Sequence, residues 1–208
     1  MPAKEQAHGF AAGTLVHTDM GLIPIEQVRI GGRVWSRPQD DAGAPPAWRQ
    51  VLKVSAFGEQ EPFLFHCHRP VDNLFIFFAM QEQLFRAEGG GWIGFEQLEC
   101  GSKLDVLEGP AAMLVCAEPI YQTLEPQVGW VDGVWGCRSY DNAGHRIDLR
   151  HPGRIGIGSE QDWNLDCWGE DGRGFPFRMR VFALEIEEFH SYFVSAQGLW
   201  VHDGSGNT

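Results

Sequence analysis

Apolar and polar positions along the chain alternate mostly with a period of two, in short segments broken by Gly, Pro or Asp. No stretch sustains the longer period of an amphipathic helix. Leu15-Val16-His17-Thr18, a Met20-Gly21 turn and Leu22-Ile23-Pro24-Ile25 predict two strands in succession. The amphipathic Glu26-Gln27-Val28-Arg29-Ile30 then predicts one helical turn, and Arg33-Val34-Trp35-Ser36 another strand. Pro38 to Pro46 reads as an exposed loop, after which Val51–Phe57 and Glu61–Cys67 read as strands paired with one another. Leu74–Phe78 is continuously apolar, the pattern of a strand covered on both faces. Glu88-Gly89-Gly90-Gly91-Trp92 requires a tight turn, because glycine alone enters positive φ at no steric cost. Near the end, Phe182, Leu184 and Ile186 alternate with Ala183, Glu185 and Glu187. Tyr192-Phe193-Val194, a Gln197-Gly198 turn and Leu199-Trp200-Val201 complete a hairpin.

From Glu118 to Arg178 the texture changes. Trp130, Trp135, Trp163 and Trp168 are interleaved with Gly, Asp and Arg, and no period survives. This stretch reads as a Trp- and Gly-rich insertion within a β-domain formed by residues 9–117 and 179–203, with 204–208 a polar tail.

Composition narrows the function. With 208 residues, 43% of them hydrophobic, the chain can bury an ordinary core. Twenty-eight acidic against sixteen basic side chains give a net charge of −12, which opposes nucleic acid and anionic lipid as partners. No apolar run approaches the roughly 20 residues of a membrane span, and the polar start Met1-Pro2-Ala3-Lys4-Glu5 does not read as a signal peptide. The five cysteines, Cys67, Cys100, Cys116, Cys137 and Cys167, are odd in number and form no Cys-x-x-Cys pair, which disfavours a disulfide framework. His66-Cys67-His68 resembles a metal cluster, but strand neighbours point to opposite faces, so solvated imidazoles at a strand edge are the expectation. Cys137, His145, His151 and Cys167 fit no common zinc spacing. Gly89-Gly90-Gly91 lacks the Lys-Ser/Thr of a phosphate loop. No cofactor and no metal are expected, and the molecule is expected to be a monomer.

Specific residues carry a resemblance. Gly9-Phe10-Ala11-Ala12-Gly13-Thr14-Leu15-Val16 is followed by Gly21-Leu22-Ile23-Pro24-Ile25-Glu26 and by Ile30-Gly31-x-x-Val34. Trp92 and Leu98-x-x-Gly101-x-x-Leu104 stand in the middle. His190-Ser191-Tyr192-Phe193-Val194 and Gly198-x-Trp200-Val201-His202 close the chain. In this order the segments resemble bacterial Hedgehog/intein (Hint) domains, as found in inteins and polymorphic toxins, over about two-thirds of the chain. The resemblance implies an all-β, pseudo-twofold horseshoe whose ends meet at its centre, with the insertion where inteins accept inserted domains.

It also implies chemistry at the termini. A Cys or Ser at the first position attacks the preceding carbonyl, and a Thr-x-x-His element on a middle strand protonates the departing nitrogen. At the far end an Asn side chain attacks its own carbonyl, which the preceding His and a strand His polarise. Transferred to this sequence, the first position falls on Gly9, which has no nucleophile. Met80 and Gln83 replace the Thr and His, and Gln83 can hydrogen-bond but cannot deliver a proton near neutral pH. The strand His is His190, the penultimate His is His202, and Asp203 replaces the Asn. The expected Gly-Asp turns read Gly31-Gly32 and Gly101-Ser102.

Two functions follow as expectations. In the first, the chain is a pseudo-enzyme, a non-splicing Hint domain kept as a binding or scaffold module of a bacterial toxin or secretion system. A protein partner would dock on 118–178, and the location would be cytoplasmic or within a secreted toxin. In the second, Asp203 attacks its own carbonyl and breaks the Asp203–Gly204 bond, with His190 and His202 protonating the leaving nitrogen of Gly204. That route competes with attack by the Gly204 nitrogen on the Asp203 carboxyl, which isomerises the link without cutting it. Asp141, His145, Asp148 and His151 leave an unrelated hydrolase as a third reading, which no spacing specifies.

Overall fold

A computed structural model describes residues 7–71, 73–131, 145–149, 155–157 and 174–205. Its architecture is all-β. Among the described residues, fourteen strands form one continuous sheet that coils on itself, and four more form a smaller sheet.

The large sheet is built twice over from one plan, which gives the fold its pseudo-twofold character. In the first half, β2 (Leu15–Thr18) and β3 (Gly21–Pro24) form a hairpin. A single 3₁₀ turn at Ile25–Gln27 follows, then Gly31 at φ 84°, then β4 (Arg33–Ser36). In the second half, β8 (Phe85–Arg86) and β9 (Trp92–Ile93) pair across the glycine turn, where Gly89, Gly90 and Gly91 all have positive φ. A second 3₁₀ turn at Phe95–Gln97, Gly101 at φ 93° and β10 (Lys103–Leu104) repeat the pattern. Each glycine N–H is bound by a long strand beside it, Gly31 to Val51 O and Gly101 to Leu114 O.

Those long strands are β5 (Ala47–Gln60) and β11 (Ala112–Pro119). The expected pairing of 51–57 with 61–67 does not occur. β5 instead pairs with β4 and with β16 (Met179–Ile186). β6 (Phe63–Arg69) lies between β11 and β7 (Asn73–Ala79). β5 runs on to Gln60, immediately before Glu61-Pro62, and its fourteen residues find their partners in strands distant in sequence. The interior position of β6 also corrects the reading of His66 and His68 as edge residues, because His66 is buried. β7 is covered on both faces only in its second half, where Phe77, Phe78 and Ala79 are buried while Leu74 is exposed.

β1 (Phe10–Ala11) is wedged between β16 and β7, which brings the start of the domain beside its last strands. β17 (Ser191–Val194) and β18 (Leu199–His202) form the final hairpin, joined to β2 on one side and β8 on the other. The main core inside the coil contains Phe10, Phe65, Phe77, Phe85, Leu184, Tyr192 and Val201. Phe65 stacks on Phe77 with ring centres 5.1 Å apart, and Phe85 packs on both. Fully burying such side chains contributes about 1.5–3 kcal/mol each.

Within 118–178, β12 (Tyr121–Gln122), β13 (Val128–Val131), β14 (His145–Asp148) and β15 (Ile155–Ile157) make the small sheet. Ile120, Val131 and Ile147 share a second core with Ala11, Leu64 and Phe78 of the large sheet. Trp130 is buried. Trp135, Trp163, Trp168, Cys137, Asp141, His151 and Cys167 lie outside the described residues, as does any site built on them. Among the described residues, no helix is long and apolar enough to cross a membrane.

Candidate functional site at the meeting of the two ends

Four segments converge where β1 begins and β18 ends. Main-chain bonds lock them together: Met80 N–H donates to Gly9 O at 2.9 Å, His202 N–H to Leu84 O at 3.1 Å, and Asp203 N–H to His190 O at 3.0 Å. His190 is held at φ 51°, an uncommon conformation for a residue with a side chain.

Gly9 has φ 111°, and a Cβ built on it would lie 2.2 Å from Phe182 O and 2.9 Å from the Phe182 carbonyl carbon. There is no room for a side chain at Gly9 while β1 keeps this conformation, because the Phe182 carbonyl of β16 occupies the space. Gln83 is buried, and its amide has a structural task. Nε2 donates to Leu84 O and to His202 O, both at 2.9 Å, tying the turn at 80–83 to the end of β18. Met80 joins this junction through its main chain, donating to Gly9 O and accepting from Gln83 N–H.

Asp203 is buried and anchored. Oδ2 accepts from Ile186 N–H at 2.8 Å, and Oδ1 accepts from Ser205 N–H at 2.8 Å and from Ser205 Oγ at 2.7 Å. His190 Nδ1 lies 2.9 Å from Ser205 Oγ and 3.6 Å from Asp203 Oδ2. His202 Nδ1 is 3.8 Å from Asp203 Oδ1.

The protonation of His202 follows from its partners. Gly204 N–H donates to Nδ1 at 2.9 Å, so Nδ1 carries a lone pair and the proton sits on Nε2, 2.6 Å from Gln39 Oε1. Burial pushes the His202 pKa below its ordinary value, and His190 and His8 push the same way against the charge of Asp203. The imidazole is neutral. Tyr192 beneath the site has its phenol pushed up by burial and by the Asp203 charge.

Three further residues outside the Hint-like motifs contribute to the site. His8, just before Gly9, places Nε2 at 3.1 Å from Asp203 O, and since that oxygen can only accept, Nε2 carries a proton. Its ring also lies on Gly204, where a Cβ would come within 2.4 Å of it. Gln39, from the loop read as exposed, folds over His202. Its main-chain oxygen accepts from Arg86 Nη1 at 3.0 Å and from Trp92 Nε1 at 3.3 Å. Ser205 bridges His190 and Asp203. Only the position of His8 beside the first residue hinted at a role. Among the described residues, no three His, Cys, Asp or Glu side chains gather closely enough to hold a metal ion.

This coiled β-sheet recurs in solved structures. No family model and no characterised protein sequence matches the chain. A bacterial intein-like domain from Clostridium thermocellum is similar over 94% of this chain and 99% of that one, with 16% identity and a TM-score of 0.57. The gp41-1 intein is similar over 94% of this chain and 98% of that one, with 14% identity and a TM-score of 0.52. A DnaB intein from Synechocystis sp. PCC 6803 covers 95% and 99%, with 9% identity and a TM-score of 0.53. The fold is the Hedgehog/intein, or Hint, fold.

Proposed function

We propose that the chain is a non-splicing Hint domain in which the N-terminal acyl shift is absent and the fold serves as a binding or scaffold module. The observation that supports this reading is Gly9, which has no side chain, sits at φ 111° and would bring a Cβ to 2.2 Å from Phe182 O. Gln83, whose amide is committed to two carbonyl oxygens, supplies no acid for a leaving nitrogen. A place in a bacterial toxin or secretion system, with a protein partner docked on 118–178, is the setting suggested by the resemblance to Hint domains. The test is the intact mass of the purified chain after exposure to a thiol and to hydroxylamine at neutral pH. An unchanged mass is expected, and scission between His8 and Gly9 would overturn the proposal.

A second reading, residual cleavage at Asp203–Gly204, is favoured by His8 on the carbonyl and His202 on the nitrogen of that bond. It is the weaker of the two. A leaving nitrogen must gain a proton, whereas His202 Nδ1 accepts one from Gly204.

A further inference from the structure

We propose that this site forms a cyclic imide between Asp203 and Gly204 which opens to an isoaspartyl link, a modification of the main chain without a cut. The proposal goes beyond the absence of the N-terminal step and does not depend on it.

Hydrogen-bond direction assigns a base to the Gly204 nitrogen and a proton path to the Asp203 carboxyl. Gly204 N–H points at the lone pair of His202 Nδ1, 2.9 Å away. A base in that position raises the nucleophilicity of the Gly204 nitrogen and withholds the proton that cleavage needs. Gln39 Oε1 holds His202 in this tautomer by accepting from Nε2. At the carboxyl, Ser205 Oγ donates to Asp203 Oδ1, so the hydrogen between His190 Nδ1 and Ser205 Oγ belongs to His190. The resulting path, His190 to Ser205 to Oδ1, delivers protons to the oxygen that must depart. Ile186 N–H steadies Oδ2, which stays behind as an imide oxygen. Gly204 has no side chain to shield its nitrogen, and the His8 ring lies where a Cβ would be.

The step balances as follows. The Gly204 nitrogen bonds to the Asp203 carboxyl carbon, and its proton passes to His202 Nδ1 and on to solvent. The bond from that carbon to Oδ1 breaks, and Oδ1 leaves as water with two protons carried in from solvent through His190 and Ser205. Net, the carboxylate, the Gly204 N–H and one solvent proton become the imide and one water. A water molecule then opens the ring. Attack at the main-chain carbonyl, polarised by His8 Nε2–H, leaves Gly204 joined through the side chain; attack at the other carbonyl restores aspartate.

The experiment incubates the purified chain in ¹⁸O-labelled water at neutral pH, then maps the peptide spanning residues 203 and 204 and separates its isoaspartyl form. The account predicts an intact chain that gains label and isoaspartate faster than a synthetic peptide of the same local sequence. Ser205→Ala and His202→Gln, each checked by thermal melting for an unchanged fold, slow the gain by about 10²-fold. His8→Ala lowers the isoaspartyl share of the labelled product. An intact, unlabelled chain overturns this inference alone, as does a rate no faster than the peptide's or unaltered in folded Ser205→Ala. Scission at Asp203–Gly204 overturns it together with the non-cleaving reading of that junction.

Discussion

Gly9 and Phe182 face each other across the first strand pair so closely that a Cβ on Gly9 would stand 2.2 Å from the Phe182 carbonyl oxygen. This contact makes Gly9→Cys more than the addition of a thiol. The variant must move β1 off β16 or leave positive φ, and strain of this kind costs about 1–3 kcal/mol. Chemical denaturation should show a lower midpoint, and added thiol should release no N-terminal fragment. A Gly9→Cys protein as stable as the parent that sheds residues 1–8 would contradict the account.

Gln83 serves as a brace between the turn at 80–83 and β18. Gln83→Ala leaves the His202 and Leu84 carbonyl oxygens without their side-chain donor, at a cost of about 1–3 kcal/mol. Urea unfolding measures this directly, and an unchanged midpoint would remove the brace.

His202 and His17 both have pKa values lowered by burial, at His17 against the hydrogen bond that its Nε2 donates to Ser195 O. In that case the unfolded chain binds more protons than the folded one below about pH 6.5, the ordinary histidine value. Their contribution to stability is fully present above that pH and is lost as pH falls toward the lowered folded values. Melting temperature should therefore decline through this window, and His202→Gln should flatten the decline.

The thiols divide by position. Burial pushes Cys67 up, and burial beside Glu118 pushes Cys116 up to about 12, while Cys100 is exposed. Among these three, iodoacetamide at neutral pH should label Cys100 alone in the folded protein, as peptide mapping would report. Equal labelling of Cys67 would show that β6 opens readily.

Much of the architecture was legible because it rests on local signals. The hairpin from Leu15 to Pro24, the glycine turn before Trp92 and the closing hairpin from Ser191 to His202 each follow from alternation plus a turn residue. Pairing over long separations was not legible. Nothing local directs β5 to β16 rather than to β6, since that choice depends on how the whole sheet coils. The site divides along the same line. His190, His202 and Asp203 stood out only through the resemblance to Hint domains. His8, Gln39 and Ser205 act through contacts across folded segments: His8 meets Asp203 across 195 positions, and Gln39 meets His202 across 163. The role of Gln83 was half visible, since its chemistry ruled out proton delivery but only the fold reveals its two carbonyl partners.

The most direct test of a Hint fold without self-cleavage is a peptide map across His8–Gly9 and Asp203–Gly204, after incubation at pH 5 and pH 7. The account predicts that both peptides remain joined at both pH values. A free end at Gly9 or at Gly204, abolished by His202→Ala, would contradict it and make the chain a working self-processing domain.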